Sequence, residues 1–221
     1  MNKFLTKLSK ERSRQGLYEF LDAEFSQIKS GENVLTIGSG GEINRLLYKH
    51  AEMNSFHVTS FDIDSHRNPD VQGDICTFDF GNTRFDHVAI CEVLEHVHSP
   101  HLAINNIFSV LKSGGSLILT TPFMLPIHEA PIDYYRFTKY GLMHLLQNFD
   151  RVEVRERNNY FEAIDVFYMR ILQTNHPRTN MVSWIVLPWV YYLGRIRTKL
   201  LYKLLPVRDM TTGYTVTAIK P

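Results

Sequence analysis

Apolar positions along the chain change their period several times, and each period predicts an element of structure. Leu17, Leu21, Phe25 and Ile28 recur at helical spacing and predict an amphipathic helix over residues 11–29. After this helix, short apolar runs typical of strands alternate with segments typical of helices. The predicted strands are 33–37, 57–61, 85–91, 116–121, 151–157 and 214–219, the predicted helices between them are 42–50, 101–111 and 139–147, and residues 71–75 are predicted as a short edge strand or a loop.

The central strands carry unbroken apolar runs instead of alternating ones. The runs at 88–90 (VAI) and 117–119 (LIL) are typical of strands buried on both faces, as in a parallel sheet covered by helices. The sequence therefore predicts an α/β fold with a mostly parallel seven-stranded sheet, helices on both faces and a helical insertion before the last strand.

We expect one domain over residues 1–221. Its predicted parts are a helical extension at 1–32, a core at 33–159, a helical insertion or lid at 160–210 and the final strand at 211–221.

A glycine-rich turn, VLTIGSGG, lies between the first predicted strand and the helix that follows it. Glycine allows a ligand to approach the backbone, and the N–H groups of a new helix favour an anionic group, so the turn indicates a nucleotide-like cofactor. The alternative is a tight connection without a ligand. A dinucleotide motif would need a third glycine where this chain has Ile43, which argues against a nicotinamide cofactor.

Composition narrows the function classes further. A net charge of +1 creates no global field that would attract nucleic acid. Cys76 and Cys91 show neither metal-ligand spacing nor a disulfide framework, which favours a reducing, cytoplasmic compartment. The N-terminal residues lack the apolar stretch of a signal peptide. Residues 181–193 are apolar but fewer than the about 20 that cross a bilayer.

The order of several motifs carries a family resemblance. The segment CEVLEHVHSPHLAINNIFSVLKSGGSLILTTPF, together with VLTIGSGG, FDID and GDI, resembles the class I S-adenosylmethionine-dependent methyltransferases, specifically their small-molecule, type 11-like branch. The resemblance covers about residues 33–157. It implies a Rossmann-like methyltransferase fold and S-adenosyl-L-methionine as cofactor. The segment HEAPIDYYRFTKYGLMHLL resembles a subset associated with bacterial surface-glycan assembly, which implies a small-molecule or glycan acceptor.

The resemblance also implies which residues hold the cofactor. Gly38, Ser39 and Gly40 hold its methionine end. Asp62 contacts the ribose hydroxyls, and Ile63 contacts the adenine face. Asp74 contacts the adenine amino group and Ile75 the adenine ring, while Cys91 and Glu92 line the wall beside the methionine. Asp62 also suits the ribose by its place at the end of the second strand, whereas Asp64 suits a helix cap.

Two positions depart from the family pattern. Thr36 stands where the family usually has an acid, and Glu42 stands where it often has a glycine. Thr36 can bond the cofactor amine or a water without charge, and Glu42 is another acid that could meet the amine. The alternative function is therefore a catalytically inactive methyltransferase-fold protein that acts as a membrane-peripheral binding module.

Methyl transfer from a sulfonium is an in-line displacement, which needs a well-placed acceptor and a base for its proton. Histidine suits the base because it titrates near neutral pH. The candidates are His128 and Glu129, in a loop after the fifth strand, His96, after the fourth, and the segment 133–136, DYYR. Substrate orientation is the alternative for His128, and a helix cap for His96. Within 133–136, Tyr135 is the catalytic candidate, with a structural role as its alternative. No metal-ligand spacing is present, so the sequence predicts no metal.

The segment 181–208 combines aromatic and basic residues. Trp184 and Trp189 precede Arg195, Lys199 and Lys203, which share one face of a helix. This pattern fits contact with anionic lipid at a membrane surface, on the inner face of the membrane. The alternatives are a lid over the acceptor pocket and a homodimer surface.

Overall fold

Seven strands make up the sheet of this protein. The structure, a computed structural model, describes residues 3–38, 40–171, 200–205, 207 and 210–221. The strands are β1 (Asn33–Ile37), β2 (His57–Asp62), β3 (Val71–Gln72), β4 (Phe85–Cys91), β5 (Leu111–Pro122), β6 (Asp150–Glu156) and β7 (Gly213–Ile219). They are ordered β3-β2-β1-β4-β5-β7-β6 across the sheet.

Helices connect the strands, as the sequence predicts. They are α1 (Lys3–Ser26), α2 (Gly41–Asn54), α3 (Pro100–Val110), α4 (Lys139–Leu145) and α5 (Tyr160–Ile171), with 3-10 turns at Ser65–Arg67 and Leu94–His96. Residues 200–204 are also helical. Helical residues therefore lie between β6 and β7, where the insertion is predicted. The prediction that helices cover both faces of the sheet stays a prediction.

Strands β1 and β4 match the predicted ranges residue for residue, because each is an apolar run with clear polar or glycine boundaries. The other elements differ from their predicted ranges at one or both ends, and the two largest differences are at α1 and β5. Helix α1 extends back to Lys3, since the charged residues there are good helix formers without apolar periodicity. Strand β5 begins at Leu111, because that residue pairs with Phe85 ahead of an irregularity in the ladder.

The sheet is mostly parallel. Strands β3, β2, β1, β4 and β5 pair in parallel. Strand β7 runs the other way beside β5, since Gly114, near the start of β5, donates to the carbonyl of Lys220, just after β7. Arg157, just after β6, likewise donates to Gly213 at the start of β7. An antiparallel strand is thus inserted between β5 and β6.

The core lies along the central strands. The side chains of β1, β4 and β5 are buried in consecutive positions, which confirms the expectation from their unbroken apolar runs. The buried members are Val34, Leu35, Ile37, Val88, Ala89, Ile90, Leu117, Ile118 and Leu119. Burial of this continuous layer fixes where each of these strands ends, and hence where the loops that follow them begin.

The strand order creates a switch point at β1. Its neighbours are β2, the next strand along the chain, on one side and β4 on the other. In open α/β sheets, ligands bind outside the carboxyl ends of the strands at such a point. The glycine-rich turn follows β1 directly, so it occupies this position.

The chain divides into two compact units. One comprises Tyr18–Pro122, Ile127–Arg155 and Tyr214–Pro221, and contains most of the sheet. The other consists of the described parts of Met1–Leu17, Phe123–Pro126 and Glu156–Gly213. The predicted insertion at 160–210 belongs to this second unit.

None of the described helices is long and apolar enough to cross a bilayer. The apolar run at 181–193 and the basic residues up to Lys199 lie outside the described residues, as does Arg208. Lys203 is described and its side chain is exposed.

Candidate active site

The glycine turn has an open backbone. Gly38, Gly40 and Gly41 have φ of 87°, 114° and 76°, a region that L side chains rarely adopt. A Cβ at Gly40 or Gly41 would meet no atom within 4 Å. Helix α2 begins at Gly41, so its first N–H groups face this space. The turn therefore offers accessible N–H donors at the carboxyl end of β1, while Ser39 lies outside the described residues.

Gly38 is held more tightly than the other two glycines. Its N–H donates to the carbonyl of Phe61 at 2.9 Å, and an added Cβ would lie 2.4 Å from Cγ2 of Val93. Because the substitution adds both φ strain and a clash, we expect Gly38→Ala to lower the free energy of unfolding by about 1–2 kcal/mol or more. Urea denaturation measures this change.

Gly81→Ala is the matched control for that prediction. Gly81 has φ of 57°, and a Cβ there would meet no atom within 4 Å, so the control adds strain without a clash. An equal loss of stability in both variants would contradict the importance of the Val93 contact.

Asp62 ends β2 and is buried. One carboxylate oxygen accepts from the N–H of Asp64 at 2.9 Å, and the other lies 3.6 Å from Nη1 of Arg67. Ile63 is 68% exposed at the adjacent surface. Asp64 accepts from the N–H of His66 and so caps a 3-10 turn, the role expected of it. Asp62 and Ile63 thus lie side by side at the strand end, as a carboxylate and an apolar surface.

Asp74 follows β3 and caps the turn after it. Its Oδ1 accepts from the N–H of Cys76 at 2.8 Å, and its Oδ2 lies 3.3 Å from Nε2 of His98. The hydrogen bond from Cys76, then that from His98, lowers the pKa of Asp74 despite partial burial. Ile75 is buried. Both carboxylate oxygens of Asp74 therefore have neighbours, the N–H of Cys76 at Oδ1 and the ring of His98 at Oδ2.

A cluster of aromatic rings supports this region. Phe61, Phe78 and Phe80 contact one another with ring centroids 4.8–5.3 Å apart. A Cβ at Gly73 would lie 2.4 Å from the ring of Phe78. Packing against Phe78 therefore favours glycine at the position before Asp74.

Cys91 and Glu92 lie at the end of β4. Cys91 is the last residue of the strand and pairs with Thr120 of β5. Glu92 has φ of 55°, an uncommon conformation for a residue with a side chain and one that clusters at functional sites. Its Oε1 accepts from the hydroxyl of Thr120 at 3.1 Å. Both residues therefore lie next to the glycine turn across the β1–β4 pair.

The two positions that depart from the family pattern have defined contacts. The buried hydroxyl of Thr36 donates to Oδ1 of Asn44 at 3.1 Å, and Asn44 donates to the carbonyl of Gly38. Glu42 is exposed and accepts from the hydroxyl of Tyr18 at 2.8 Å. Thr36 and Asn44 thus brace the glycine turn with neutral groups in place of a charge.

Both candidate histidines lie at the carboxyl ends of β4 and β5, and the fold brings them together. The rings of His96 and His128 meet edge to face, 4.9 Å apart. Glu95, which is fully buried, places Oε1 3.7 Å from Nε2 of His96 and 3.8 Å from Nε2 of His128. A carboxylate and two imidazoles therefore share one small volume.

The loop that carries His128 is fixed by an ion pair. Arg136 donates to both oxygens of Asp133, whose side chain is 1% exposed, and the N–H of His128 donates to Oδ2 of Asp133 at 2.9 Å. The hydrogen bonds from Arg136, joined by that from His128, hold the pKa of Asp133 well below its usual range against the effect of burial. Asp133 therefore stays ionised and orients the loop.

This ion pair predicts a pH dependence. Because the pKa of Asp133 is lower in the folded state, its stabilisation is complete above the unfolded value of about 3.9 and is lost as the pH falls below it. We expect Asp133→Asn to lower the free energy of unfolding by about 2 kcal/mol at pH 7 and by clearly less at pH 3. Urea denaturation of both proteins at the two pH values measures the difference, and a constant difference would contradict the ion-pair role.

Tyr135 has a structural contact. Its hydroxyl donates to the carbonyl of His98 at 3.0 Å, and its ring stacks on Phe137. The carbonyl of Glu95 accepts from the N–H groups of both Tyr134 and Tyr135, at 2.9 and 3.1 Å. These bonds tie the loop after β5 to the segment after β4. The catalytic role of Tyr135 stays a prediction.

One residue of this site, Glu95, was not among the sequence candidates. It stands in EVLEH, where an acid beside a histidine looks like an ordinary residue of a turn. Asp133 was a candidate, and the structure pairs it with Arg136, three residues further along, a spacing typical of an ion pair.

Comparison with known proteins places these features in a family. The model described as "Methyltransferase domain" matches residues 9–163. A search of curated proteins gave no match. Among solved structures, a SAM-dependent methyltransferase from Archaeoglobus fulgidus is similar with a TM-score of 0.62 and 16% identity, over 97% of this chain and 99% of that one.

Two further structures are similar at the level of the fold. Phosphoethanolamine N-methyltransferase 2 of Haemonchus contortus in complex with S-adenosyl-L-methionine has a TM-score of 0.58 and 20% identity, over 94% of this chain. The chain spans only 52% of the length of that protein. The O-methyltransferase from a trans-AT PKS multienzyme of Brevibacillus brevis in complex with S-adenosyl-L-homocysteine has a TM-score of 0.57 and 15% identity, over 99% of this chain and 77% of that one.

The family match covers well over half of the chain, and the similar structures share its fold. The chain therefore belongs to the methyltransferase domain family and has the class I S-adenosylmethionine-dependent methyltransferase fold.

Proposed function

We propose that this protein is an S-adenosyl-L-methionine-dependent methyltransferase that acts on a small molecule or glycan, by O-methylation. The observation that carries the proposal is the arrangement at one edge of the sheet. An open glycine turn after β1, a buried acid after β2 and a histidine pair after β4 and β5 all lie at carboxyl ends of parallel strands.

The cofactor binds along the first part of that edge. Gly38, Ser39 and Gly40 hold the methionine end through their backbone, and Asp62 accepts hydrogen bonds from the ribose hydroxyls. The exposed side chain of Ile63 packs on the adenine. The carboxylate of Asp74 accepts from the adenine amino group, and the buried Ile75 supports the ring.

The methyl group then faces the second part of the edge. Cys91 and Glu92 line the wall beside the methionine, and the acceptor lies between that wall and the loop that carries His128. This loop orients the acceptor oxygen behind the methyl carbon, and approximation of this kind supplies much of the acceleration. His128 receives the acceptor proton, with His96 beside it and Tyr135 at the rim.

Exposed apolar side chains favour an acceptor with an apolar or ring-shaped face. Ile127, Ile132 and Tyr134 are all exposed on the loop after β5. A sugar ring stacks on tyrosine in this way, which supports a glycan acceptor and a role in glycan biosynthesis. The similar structures include both N- and O-methyltransferases, so the choice of oxygen rests on the histidines alone.

The setting of the protein is part of the proposal. Cys76 and Cys91 are free thiols, which supports a cytoplasmic location. Three alternatives remain for the insertion. They are contact with the inner face of the membrane through 181–208, a lid formed by 160–210, and a homodimer surface. Sedimentation with anionic liposomes tests the first of them.

One observation favours a second candidate, a catalytically inactive binding module with this fold. Thr36, in place of the usual acid, is engaged with Asn44, so neither residue supplies charge to the cofactor amine. Glu42 is bonded to Tyr18. A weakened cofactor site is the expected consequence if no other acid meets the amine.

Titration with S-adenosyl-L-homocysteine separates the two candidates. We expect saturable binding by calorimetry, and no binding at millimolar ligand would overturn the proposal. Incubation of the protein and methyl-labelled cofactor with fractionated cell extract then identifies the acceptor by its label. Binding without any labelled product in any fraction would favour the inactive module.

A further inference from the structure

We propose that Glu95, His96 and His128 bind one divalent transition-metal ion. One ligand atom from each residue lies within 4.8 Å of the other two. Glu95 Oε1 lies 3.7 and 3.8 Å from the Nε2 atoms of the two histidines. The sequence predicts no metal, since it shows no metal-ligand spacing. The inference departs from that prediction because the fold brings His128 next to Glu95 and His96, which lie far from it along the chain.

The ring orientations of both histidines suit ligation. Nδ1 of His96 lies 2.8 Å from the carbonyl oxygen of Ile132, which can only accept, so Nδ1 donates to it and Nε2 is the ring nitrogen available to an ion. Nδ1 of His128 lies 3.4 Å from Oδ2 of Asp133. Metal-binding histidines typically donate their other ring N–H to a carbonyl or carboxylate in this manner. Both Nε2 atoms are thereby directed towards Glu95.

Among the described residues that contact His128, Arg136 is the one that carries a positive charge. Its Nη2 lies 3.5 Å from Nδ1 of His128 but only 2.7 Å from Oδ2 of Asp133. The carboxylate is therefore its main acceptor, and Nδ1 of His128 also accepts from Nη2. Ligation through Nε2 of His128 requires Nδ1 to carry the proton and to donate to Oδ2 of Asp133, 3.4 Å away, in place of accepting from Arg136.

The surroundings of Glu95 are compatible with an ion. Glu95 is fully buried, Thr121 donates to its Oε2 at 3.5 Å, and the positive charge of Arg136 interacts with it. An ion next to Oε1 would add a second positive charge, and the exposed side of His128 would let the ion enter from solution.

The donor set limits the identity of the ion. Two imidazole nitrogens and one carboxylate oxygen suit Zn²⁺, Fe²⁺ or Mn²⁺ better than Ca²⁺, which takes oxygen ligands. Ligands of a tetrahedral zinc ion lie about 3.3 Å apart. The distances from Glu95 exceed this by a few tenths of an ångström, and the ligand atoms as a group lie within 4.8 Å of one another, so side-chain rotations must draw the three together around the ion. Three protein ligands leave at least one position for an oxygen of another molecule.

The role of the ion rests on the proposed function, whereas its binding does not. A histidine that binds the ion through Nε2 has no lone pair left for the acceptor proton, so with the ion bound His128 acts as a ligand in place of the base. An acceptor hydroxyl bound in the open position would have a lowered pKa and lose its proton to water. Its oxygen then forms a bond to the methyl carbon as the carbon–sulfur bond breaks. The electron pair of that bond stays on sulfur, so the sulfonium becomes the neutral thioether of S-adenosylhomocysteine. The protein thus selects acceptors whose oxygen can reach the ion.

Metal titration tests the site directly. The full chain is stripped with a chelator, dialysed and titrated with Zn²⁺ alone by calorimetry, and bound zinc is counted by elemental analysis. We expect one ion per chain, with at least tenfold weaker binding in His128→Ala and in Glu95→Gln. Asp133→Asn should weaken binding 10–100-fold through His128. His101→Ala, at an exposed position of α3, is the matched control and should bind as the parent does.

A second readout covers variants that fail to fold. Circular dichroism identifies them, and the visible spectrum of the unsubstituted protein with Co²⁺ then decides, since imidazole and carboxylate ligation shifts the bands from those of the aqueous ion. An unshifted spectrum, or zinc binding unchanged in both ligand variants, would overturn the metal site. Titration of metal-free protein with S-adenosyl-L-homocysteine runs beside it, so failure of the cofactor site and failure of the metal site are distinguishable.

Discussion

Replacing His128 by alanine is expected to lower kcat by a factor of 10²–10⁴, the range that a positioned acid or base contributes. The loss arises at the acceptor, because His128 lies on the loop after β5, next to Glu95 and His96, and away from the glycine turn. Affinity for S-adenosyl-L-homocysteine should therefore be unchanged. The measurement is the initial rate of label transfer to the acceptor fraction, at saturating cofactor.

His101→Ala is the control for that experiment, since His101 is exposed on α3 and has no part in the site. Its kcat should equal that of the parent. Should His128→Ala lower only the affinity for acceptor and leave kcat intact, His128 would orient the substrate without taking part in the transfer. The pH profile adds a second criterion, because loss of an essential base removes the acidic limb of kcat.

Asp62→Ala is expected to weaken the binding of S-adenosyl-L-homocysteine by more than 100-fold. Two hydrogen bonds from ribose hydroxyls to a buried carboxylate are lost, and bonds to charged groups contribute about 1.5–3 kcal/mol each. The carboxylate is already fixed by the N–H of Asp64 at 2.9 Å, so little ordering is needed when the cofactor binds. Calorimetric titration of both proteins measures the ratio of dissociation constants.

The neighbouring acid provides the control. Asp64→Ala removes a cap of the 3-10 turn and should lower stability slightly, by about 1 kcal/mol, while the cofactor affinity stays within a few-fold of the parent. Equal affinities in the parent and in Asp62→Ala would show that the cofactor lies elsewhere. Thermal melts of both variants establish that any loss of binding is not a loss of folding.

Much of the fold follows from local patterns in the sequence. Strands β1 and β4 are predicted to the residue, because buried parallel strands are continuous apolar runs and their ends are marked by glycine or acids. The position of Asp62 can be predicted from the sequence as well, since it depends only on where β2 ends. Features that depend on one element and its boundary are thus accessible from sequence.

The acceptor side could not be predicted in the same way. Glu95, His96 and His128 meet only because β4 and β5 are neighbours in register and the loop after β5 folds back over the turn after β4. That fold-back depends on two hydrogen bonds to the carbonyl of Glu95 and on the Asp133–Arg136 pair. No periodicity records such contacts, because they join irregular segments whose backbone is set by tertiary structure.

The carbonyl of Glu95 has a consequence for how this protein could diverge. Its two bonds, to the N–H groups of Tyr134 and Tyr135, involve backbone atoms alone, so they persist whatever side chains the loop carries. The exposed side chains of Ile127, Glu129 and Ile132 can therefore be exchanged for those of another acceptor preference while His128 is kept and the loop keeps its attachment. Selection for a new substrate could act on this short stretch without disturbing the residues proposed to hold the cofactor.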